Sequence, residues 1–435
     1  MKLFFRTLES AALTCFLAAL ALNSSTAAII GTNPPAKPLD AKRIAALPAA
    51  IQPAWKNYLE RSIHQRQADQ EFLKKELREN GMTQILVPPE GRSRRWLPLD
   101  RPDSWYRGDD ARHVADVVLS FQTPAGGWSK NLYMGGSPRS PGMHFAPDNS
   151  SRFLTTNDFD APLDAHWNYV GTFDNNATVQ QLRFLAKVIT AIGSEKGASY
   201  RAAFARGLNY IFAAQFPNGG WPQVWPLSGG YHDAITFNDG AMCGILKLLE
   251  NVSRRTNEFS FVSEKNALAA GKNFRRGLDC LLDAQVVVNG RRTIWPQQCD
   301  MLTLKPESAR NYEMPSLAAS ESADIMIFLM DIPEPDARIV SAVNGAAAWF
   351  RKTEIRDMAF RNSGGDGRKL VSAPGAGPIW SRYYEVGTDR PLFGDRDKTI
   401  HDDVNEISRE RRNGYSWYSG APENALKEYA RWNKK

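Results

Sequence analysis

Histidine and cysteine are scarce in this chain, with six and four among 435 residues. No Cys-x-x-Cys pair and no histidine cluster occurs, which excludes a zinc site of ordinary ligand spacing. The twelve-residue calcium loop of EF-hands is missing. So are the acidic strings Asp-x-Asp-Asp and Asp-Asp-x-x-Asp that a polyprenyl cyclase would need as proton donor. Beyond residue 28 no stretch approaches the ~20 apolar residues of a membrane span, so no membrane partner is expected. Extreme charge is absent too. A net charge of +7 suits a polyanionic partner, but bulk charge alone does not separate nucleic acid from an acidic polysaccharide.

What is present begins with an address. Lys2 and Arg6 form a basic start, Ala11 to Leu22 an apolar run, and Ser24 to Ala28 a small-residue cleavage region. Residues 1–28 are read as a signal peptide, which makes the product secreted or periplasmic. Cys15 would leave with it. Cys243, Cys280 and Cys299 remain, enough for at most one internal bridge. Cys243 and Cys280 fall on apolar helical segments and read as small core residues.

Residues 29–53, rich in Pro and Ala, read as a linker, and 54–79 as a charged helix. Together with a Pro/Arg-rich stretch, residues 29–105 form an N-terminal linker and helical segment ahead of one domain, 106–435. Within that domain a plan repeats: helical segment, Gln, glycine-bearing turn, Trp. It occurs at Gln122 to Trp128, at Gln215 to Gln223 and, more loosely, at Gln285 to Gln297. Helix-period segments span 110–122, 178 to about 192, 199–215, 238 to about 250, a stretch ending at 285, and a last one ending near Lys352; another is expected to open at Pro315 and end at Met330. Short connections alternate with long ones, which places the long loops at one end. The expected fold is all-α, an (α/α)3 toroid-like helical barrel with long irregular loops at one end. The Gly and Trp of the repeats read first as structural, with stacking on a sugar ring as the functional alternative.

Polar residues gather on those loops in four clusters. They are Asp174, Asn175, Asn176 and Thr178; His232, Asp233, Asn238 and Asp239; Glu307, Arg310 and Glu313; and a C-terminal run with Arg382, Glu385, Arg390, Asp395, Arg396 and Asp397. Each has a plain reading. Asn238, Asn176 and Thr178 precede apolar runs and would serve as helix N-caps. His232 reads as a hydrogen-bonded loop histidine, and the arginines as solvated. Asp-Asn-Asn is more than a cap needs, and carboxylate with amide oxygens is a hard donor set that suits calcium.

The strings TFDNNATVQQLRFLA, QFPNGGWPQ, TFNDGAM, SARNYEMPSL and WSRYYEVGTDRPLFGDRD resemble the polysaccharide lyase family 10 pectate lyases over roughly Asp109 to Asp397. The resemblance implies a helical toroid that cleaves polygalacturonate by anti β-elimination with Ca2+. It implies Arg310 as the base, Asp174 and Asp239 at the metal, and Arg382, Arg396, Asn175 and Asn238 at the substrate. Tyr383 stands where that family more often has Phe. Arginine is an awkward base, since guanidinium has a pKa above ~12. Burial and neighbouring positive charge are expected to favour its neutral form, and an alkaline optimum with them. Two alternatives use the same residues: an (α/α) glycoside hydrolase with Asp174 and Asp239 as its carboxylate pair, and a non-catalytic pectate-binding protein. Neither nucleic acid nor membrane is an expected partner, and a monomer is the default.

Overall fold

Consecutive helices pair because brief links alternate with long ones. The computed structural model describes residues 28–91, 97–151, 154, 157–164, 167–193 and 195–432. The expected signal peptide therefore lies, but for Ala28, outside the described residues, as does Cys15. Helix α1 (Ala41–Ala45) and the long α2 (Gln52–Glu79) precede α3 (Asp109–Ser120). Then α4 (Val179–Ile192) packs on α5 (Ala198–Ala214), α6 (Ala241–Arg254) on α7 (Glu264–Asp283), and α8 (Ala319–Met330) on α9 (Ala337–Lys352). A short α10 (Arg409–Gly414) follows, and α11 (Ala421–Trp432) closes against α8 and α9. In α4 the buried Val179, Leu182, Ala186 and Ile189 fall on one face at helical spacing,. Asp336 caps α9 by accepting the Ile339 N–H at 2.9 Å,.

The all-α expectation is wrong: the fold is mixed α/β. Five small sheets accompany the helices among the described residues. The largest is antiparallel and joins β1 (Gly31–Thr32), β12 (Thr399–His401), β11 (Pro391–Gly394), β10 (Tyr383–Tyr384) and β6 (Leu317–Ala318), in that order. Four two-stranded pairs complete the set. They are β2 (Ile235–Thr236) with β5 (Gln298–Cys299), β3 (Val287–Val288) with β4 (Arg291–Arg292), β7 (Met358–Asn362) with β8 (Arg368–Ser372), and β9 (Trp380–Ser381) with β13 (Tyr418–Ser419). The described strands have two to five residues, too short for an alternating pattern to register. A main apolar core lies among the helices, and a smaller one, with Met314, Tyr383, Phe393 and Trp417, lies under the large sheet. Pro315 opens no helix. Leu317 and Ala318 pair with β10, and α8 begins at Ala319.

The Gln–Gly–Trp repeats are structural. Gln122, Gln215 and Gln285 each clamp their own turn and the next helix. Each side-chain amide donates to a turn carbonyl (Gly126, Gly219, Thr293) and to a helix carbonyl (Ala203, Asn273, Ala342), at 2.8–2.9 Å. Trp128, Trp221 and Trp295 are buried, and each indole N–H donates to a helix carbonyl at 2.7–2.9 Å. Buried rings cannot stack on a sugar. Gly126 and Gly219 have φ of +104° and +100°, and a Cβ there would meet the carbonyl oxygens of Arg206 and Arg276 at 2.6 and 2.1 Å,.

Residues 29–53 are not a loose linker. Strand β1 joins the large sheet, Asn33 is 2% exposed, and Arg43 pairs with Asp300. Cys243, Cys280 and Cys299 are buried free thiols.

Candidate active site

Two tight turns present the first acids, and the repeat explains where they sit. The Thr172 N–H donates to the Trp128 carbonyl at 2.9 Å, and Phe173 N–H to that of Gln223 at 3.0 Å. One layer on, Thr236 N–H donates to Trp221 at 3.3 Å and Phe237 N–H to Gln297 at 2.9 Å. Each Thr-Phe pair is thus hung between neighbouring Trp turns, and a 3₁₀ turn follows it: Asp174–Asn176 in one, Asn238–Gly240 in the other. The two turns pack together. Asn175, Asn176 and Asp239 have φ of 54°, 59° and 50°, a left-handed conformation that Asn and Asp tolerate better than most residues. The side chains are not helix caps. The Thr178 hydroxyl lies 3.0 Å from the Trp128 N–H it accepts, and Asn238 faces Arg382.

In the third layer Ala318 N–H donates to the Trp295 carbonyl at 2.8 Å and Ala319 N–H to that of Arg382 at 2.9 Å. Arg382 takes the place that Gln223 and Gln297 hold in the first two layers, although it comes from the link between β9 and β10. Its guanidinium donates to Glu321 Oε1 at 2.5 Å and to Asn238 Oδ1 at 3.2 Å, and lies 4.8 Å over the Tyr415 ring. Burial opposes that charge, but Glu321, Tyr415 and Tyr383 hold the group protonated.

Arg310 stands on a turn of its own. The Ala309 N–H donates to the Glu313 carbonyl and the Glu313 N–H to that of Arg310, both at 2.9 Å. The Arg310 side chain, 30% exposed, donates to the Tyr312 hydroxyl at 3.1 Å and lies 3.7 Å from Glu313 Oε1. Glu313 also accepts from Tyr415 at 2.6 Å, and Tyr415 bonds Tyr383 at 2.6 Å. A continuous chain of contacts therefore links Arg310 to Arg382. Contrary to the expectation from neighbouring positive charge, Glu313 holds the Arg310 guanidinium well above its usual range. Arg396 sits at the outer edge. It forks onto Glu410 at 2.7 and 3.1 Å, and its guanidinium lies 5.7 Å from the Tyr312 ring that Arg310 touches.

Asp174 is buried between cations. Lys130 Nζ lies 2.6 Å from its Oδ2, and Gln223 donates to Oδ1 at 3.3 Å. Burial pushes the carboxyl up, but Lys130 and Arg310 outweigh it and hold Asp174 below its ordinary range. Asp239 is open to solvent, yet burial by surrounding atoms and the like charges of Asp174 and Glu321 raise it to about 6. His232, buried against Tyr231 and Tyr169, is lowered to about 3 by burial and by Lys130, and stays neutral.

Among the described residues no group of three or more His, Cys, Asp or Glu converges to hold a metal unaided. The donor chemistry nonetheless fits a hard cation that shares ligands with an acidic substrate. Asp239 is crowded by like charge, Glu321 Oε2 is buried without a hydrogen-bond partner among the described residues, and the half-buried Asn175 stands on the turn packed against that of Asp239,. Asp174 is the less available donor, because Lys130 already holds it.

Of the seven residues expected from the sequence, Asp174, Asn175, Asn238 and Asp239 stand on the two packed turns, Arg382 bonds Asn238 and is linked through Tyr383, Tyr415 and Glu313 to Arg310, and Arg396 lies apart at the rim on Glu410. Sequence reasoning missed Lys130, Glu321 and Tyr415. Lys130 follows the Gly-Gly-Trp turn by two positions, the one cue to its placement.

A family model described as pectic acid lyase matches residues 122–426. The family 10 polysaccharide lyase from Cellvibrio cellulosa has a similar solved structure, at 31% identity and a TM-score of 0.62, covering 78% of this chain and 99% of that one. A mutant of that lyase in complex with trigalacturonic acid gives the same figures. No curated protein matches the chain.

Proposed function

The chain belongs to the pectic acid lyase family and is a pectate lyase, and on that premise we propose that it cleaves polygalacturonate by calcium-assisted anti β-elimination with Arg310 as base. One observation carries the reading. Arg382 bonds Asn238 directly and reaches Arg310 through Tyr383, Tyr415 and Glu313, while Asp174, on the turn packed against that of Asn238, is held ionised in part by the charge of Arg310. The complex of a family 10 lyase with trigalacturonic acid supports the substrate class.

Elimination begins with loss of the C5 proton, which is weakly acidic because the adjacent carboxylate already carries charge. A neutral Arg310 would accept that proton and, once charged, would face the developing anion. Arg382, fixed by Glu321 and Asn238, offers a preorganised donor whose attraction grows as charge moves onto the carboxylate. Asn238 and Asn175 would orient the sugar, and Arg396 would hold a further uronate at the rim. Asp239 and Asn175, with Asp174 behind them, would hold a calcium ion, which when bound neutralises the substrate carboxylate as a Lewis acid. Lys130 keeps Asp174 ionised and in place.

Export belongs to the same proposal and is supported by the leader-like residues 1–28,. No described helix is long and apolar enough to cross a membrane. The test is ultraviolet absorbance of polygalacturonate digests with calcium and with excess chelator. A rise that requires calcium is expected. Saturated products would point to hydrolysis, no products to a binding protein, and activity undiminished by chelator would remove the metal from the mechanism.

A further inference from the structure

Asn33 lies 277 residues before Arg310 in sequence and directly against the turn that carries it. Its side-chain amide nitrogen is placed to donate to three carbonyls: Arg310 at 3.0 Å, Asn311 at 3.0 Å and Glu313 at 3.2 Å. The side chain is buried, and its Oδ1 has no partner among the described residues. That asymmetry fixes the amide orientation, since the flipped amide would set an oxygen against three oxygens. Two more contacts hold the same segment in place. The Ser308 hydroxyl donates to the Pro34 carbonyl, and β1 pairs with β12. From the far side, Asn311 donates to the Arg396 carbonyl at 2.7 Å and accepts the Phe159 N–H at 2.9 Å. The Arg310 turn is therefore gripped by its backbone, and its inner grip comes from residues 31–34, outside the stretch the family model matches.

We infer that Asn33 is a positioning residue for the reaction: through three backbone carbonyls it fixes the turn that aims Arg310. The inference rests on the reading of Arg310 as base. A displacement of about 1 Å at a reacting group can cost roughly 100-fold in rate. The Asn33 side chain bonds the backbone of the turn and not the Arg310 guanidinium, so substrate affinity should be spared.

The experiment compares full-length Asn33→Ala, Asn33→Ser and Asn33→Asp with Arg43→Ala, which loosens the same segment at Asp300 but leaves the Asn33 contacts. Steady-state kinetics on polygalacturonate, melting temperature and hydrogen exchange over 308–313 are measured for each. The Asn33 variants are expected to lose about 10- to 100-fold in kcat with KM within about twofold, Asp worst and Ser least, and to exchange faster at 308–313. Arg43→Ala is expected to lower the melting temperature while keeping kcat within about twofold. Folded Asn33 variants with wild-type kcat would overturn the inference, as would an equal kcat loss in Arg43→Ala. If the Ala and Asp variants fail to fold, the Ser variant decides. Arg310→Ala in the same assay separates the two ideas: wild-type turnover there removes the base itself, whereas an inactive Arg310→Ala beside fully active Asn33 variants removes only the positioning role.

Discussion

Glu313 Oε1 lies 3.7 Å from Arg310 Nη1, while its Oε2 accepts the Arg310 backbone N–H at 3.0 Å. One carboxylate thus shapes the turn and holds the guanidinium protonated. A base held in its acid form reacts through a small neutral fraction, which grows as pH rises. Activity should climb into the alkaline range. Glu313→Gln keeps one acceptor oxygen, enough for either Tyr415 or the Arg310 N–H, and removes the charge, so the neutral fraction of Arg310 at any pH increases,. The acid limb of the kcat–pH profile should move to lower pH. An unmoved limb would break the link between Glu313 and the base.

Asp239 combines function with strain of charge. Its carboxyl titrates at about 6 in the folded protein, raised by burial and by Asp174 and Glu321. A raised carboxyl means the folded state binds more protons than the unfolded one between the ordinary value and 6, so this group lowers stability as pH rises through that window. Asp239→Asn should therefore raise the melting temperature at pH 8 in chelator, modestly because the group is open to solvent, on the order of 1–2 °C. The same change should abolish most activity. A melting temperature that falls would contradict the like-charge account.

Lys130 and Asp174 form a buried ion pair at 2.6 Å, with Lys130 also lying 3.2 Å from the Tyr169 ring centroid. Lys130→Met leaves a buried anion without its cation, a loss of about 3–5 kcal/mol. Chemical denaturation should show that loss, and the double variant with Asp174→Asn should recover much of it without recovering activity. Equal stability of single and double variants would show that the pair is not coupled.

Away from the site, Asp69 of α2 is buried at 1% exposure, accepts from Gln65 at 2.7 Å and is raised to about 7 by burial. Its contribution is stabilising while it is protonated and is lost as pH rises from about 4 to 7. The wild-type melting temperature should fall over that window more steeply than that of Asp69→Asn. Parallel pH curves would count against a buried, neutral Asp69.

The helices were legible because their apolar positions recur at helical spacing, as in Val179, Leu182 and Ile189. The candidate site was readable as Asp/Asn-rich clusters on the long loops, residue types that tolerate the left-handed turns found at Asn175, Asn176 and Asp239,. Four things were not. The strand 317–318 was hidden because Pro315 before an apolar run imitates a helix start. The insertion in the third repeat is a hairpin, β3–β4, turning at Asn289-Gly290 with φ of 49° and 74°. That dipeptide is a strong hairpin signal, but the repeat drew attention to Gln285 and Trp295 instead. Residues 31–34 carry no periodicity, and their fixation depends on β12 and the Arg310 turn, partners hundreds of residues away. Lys130 had its place just after the Gly-Gly-Trp turn as a cue, but only folding brings it to Asp174.

Arg310 as the group that removes the C5 proton is open to a direct test. The most direct measurement is turnover of polygalacturonate by Arg310→Ala and Arg310→Lys, followed by the ultraviolet absorbance of unsaturated product, with trigalacturonate binding measured on the same samples. Both variants are expected to be nearly inactive while binding persists. Wild-type turnover in either would place the base elsewhere.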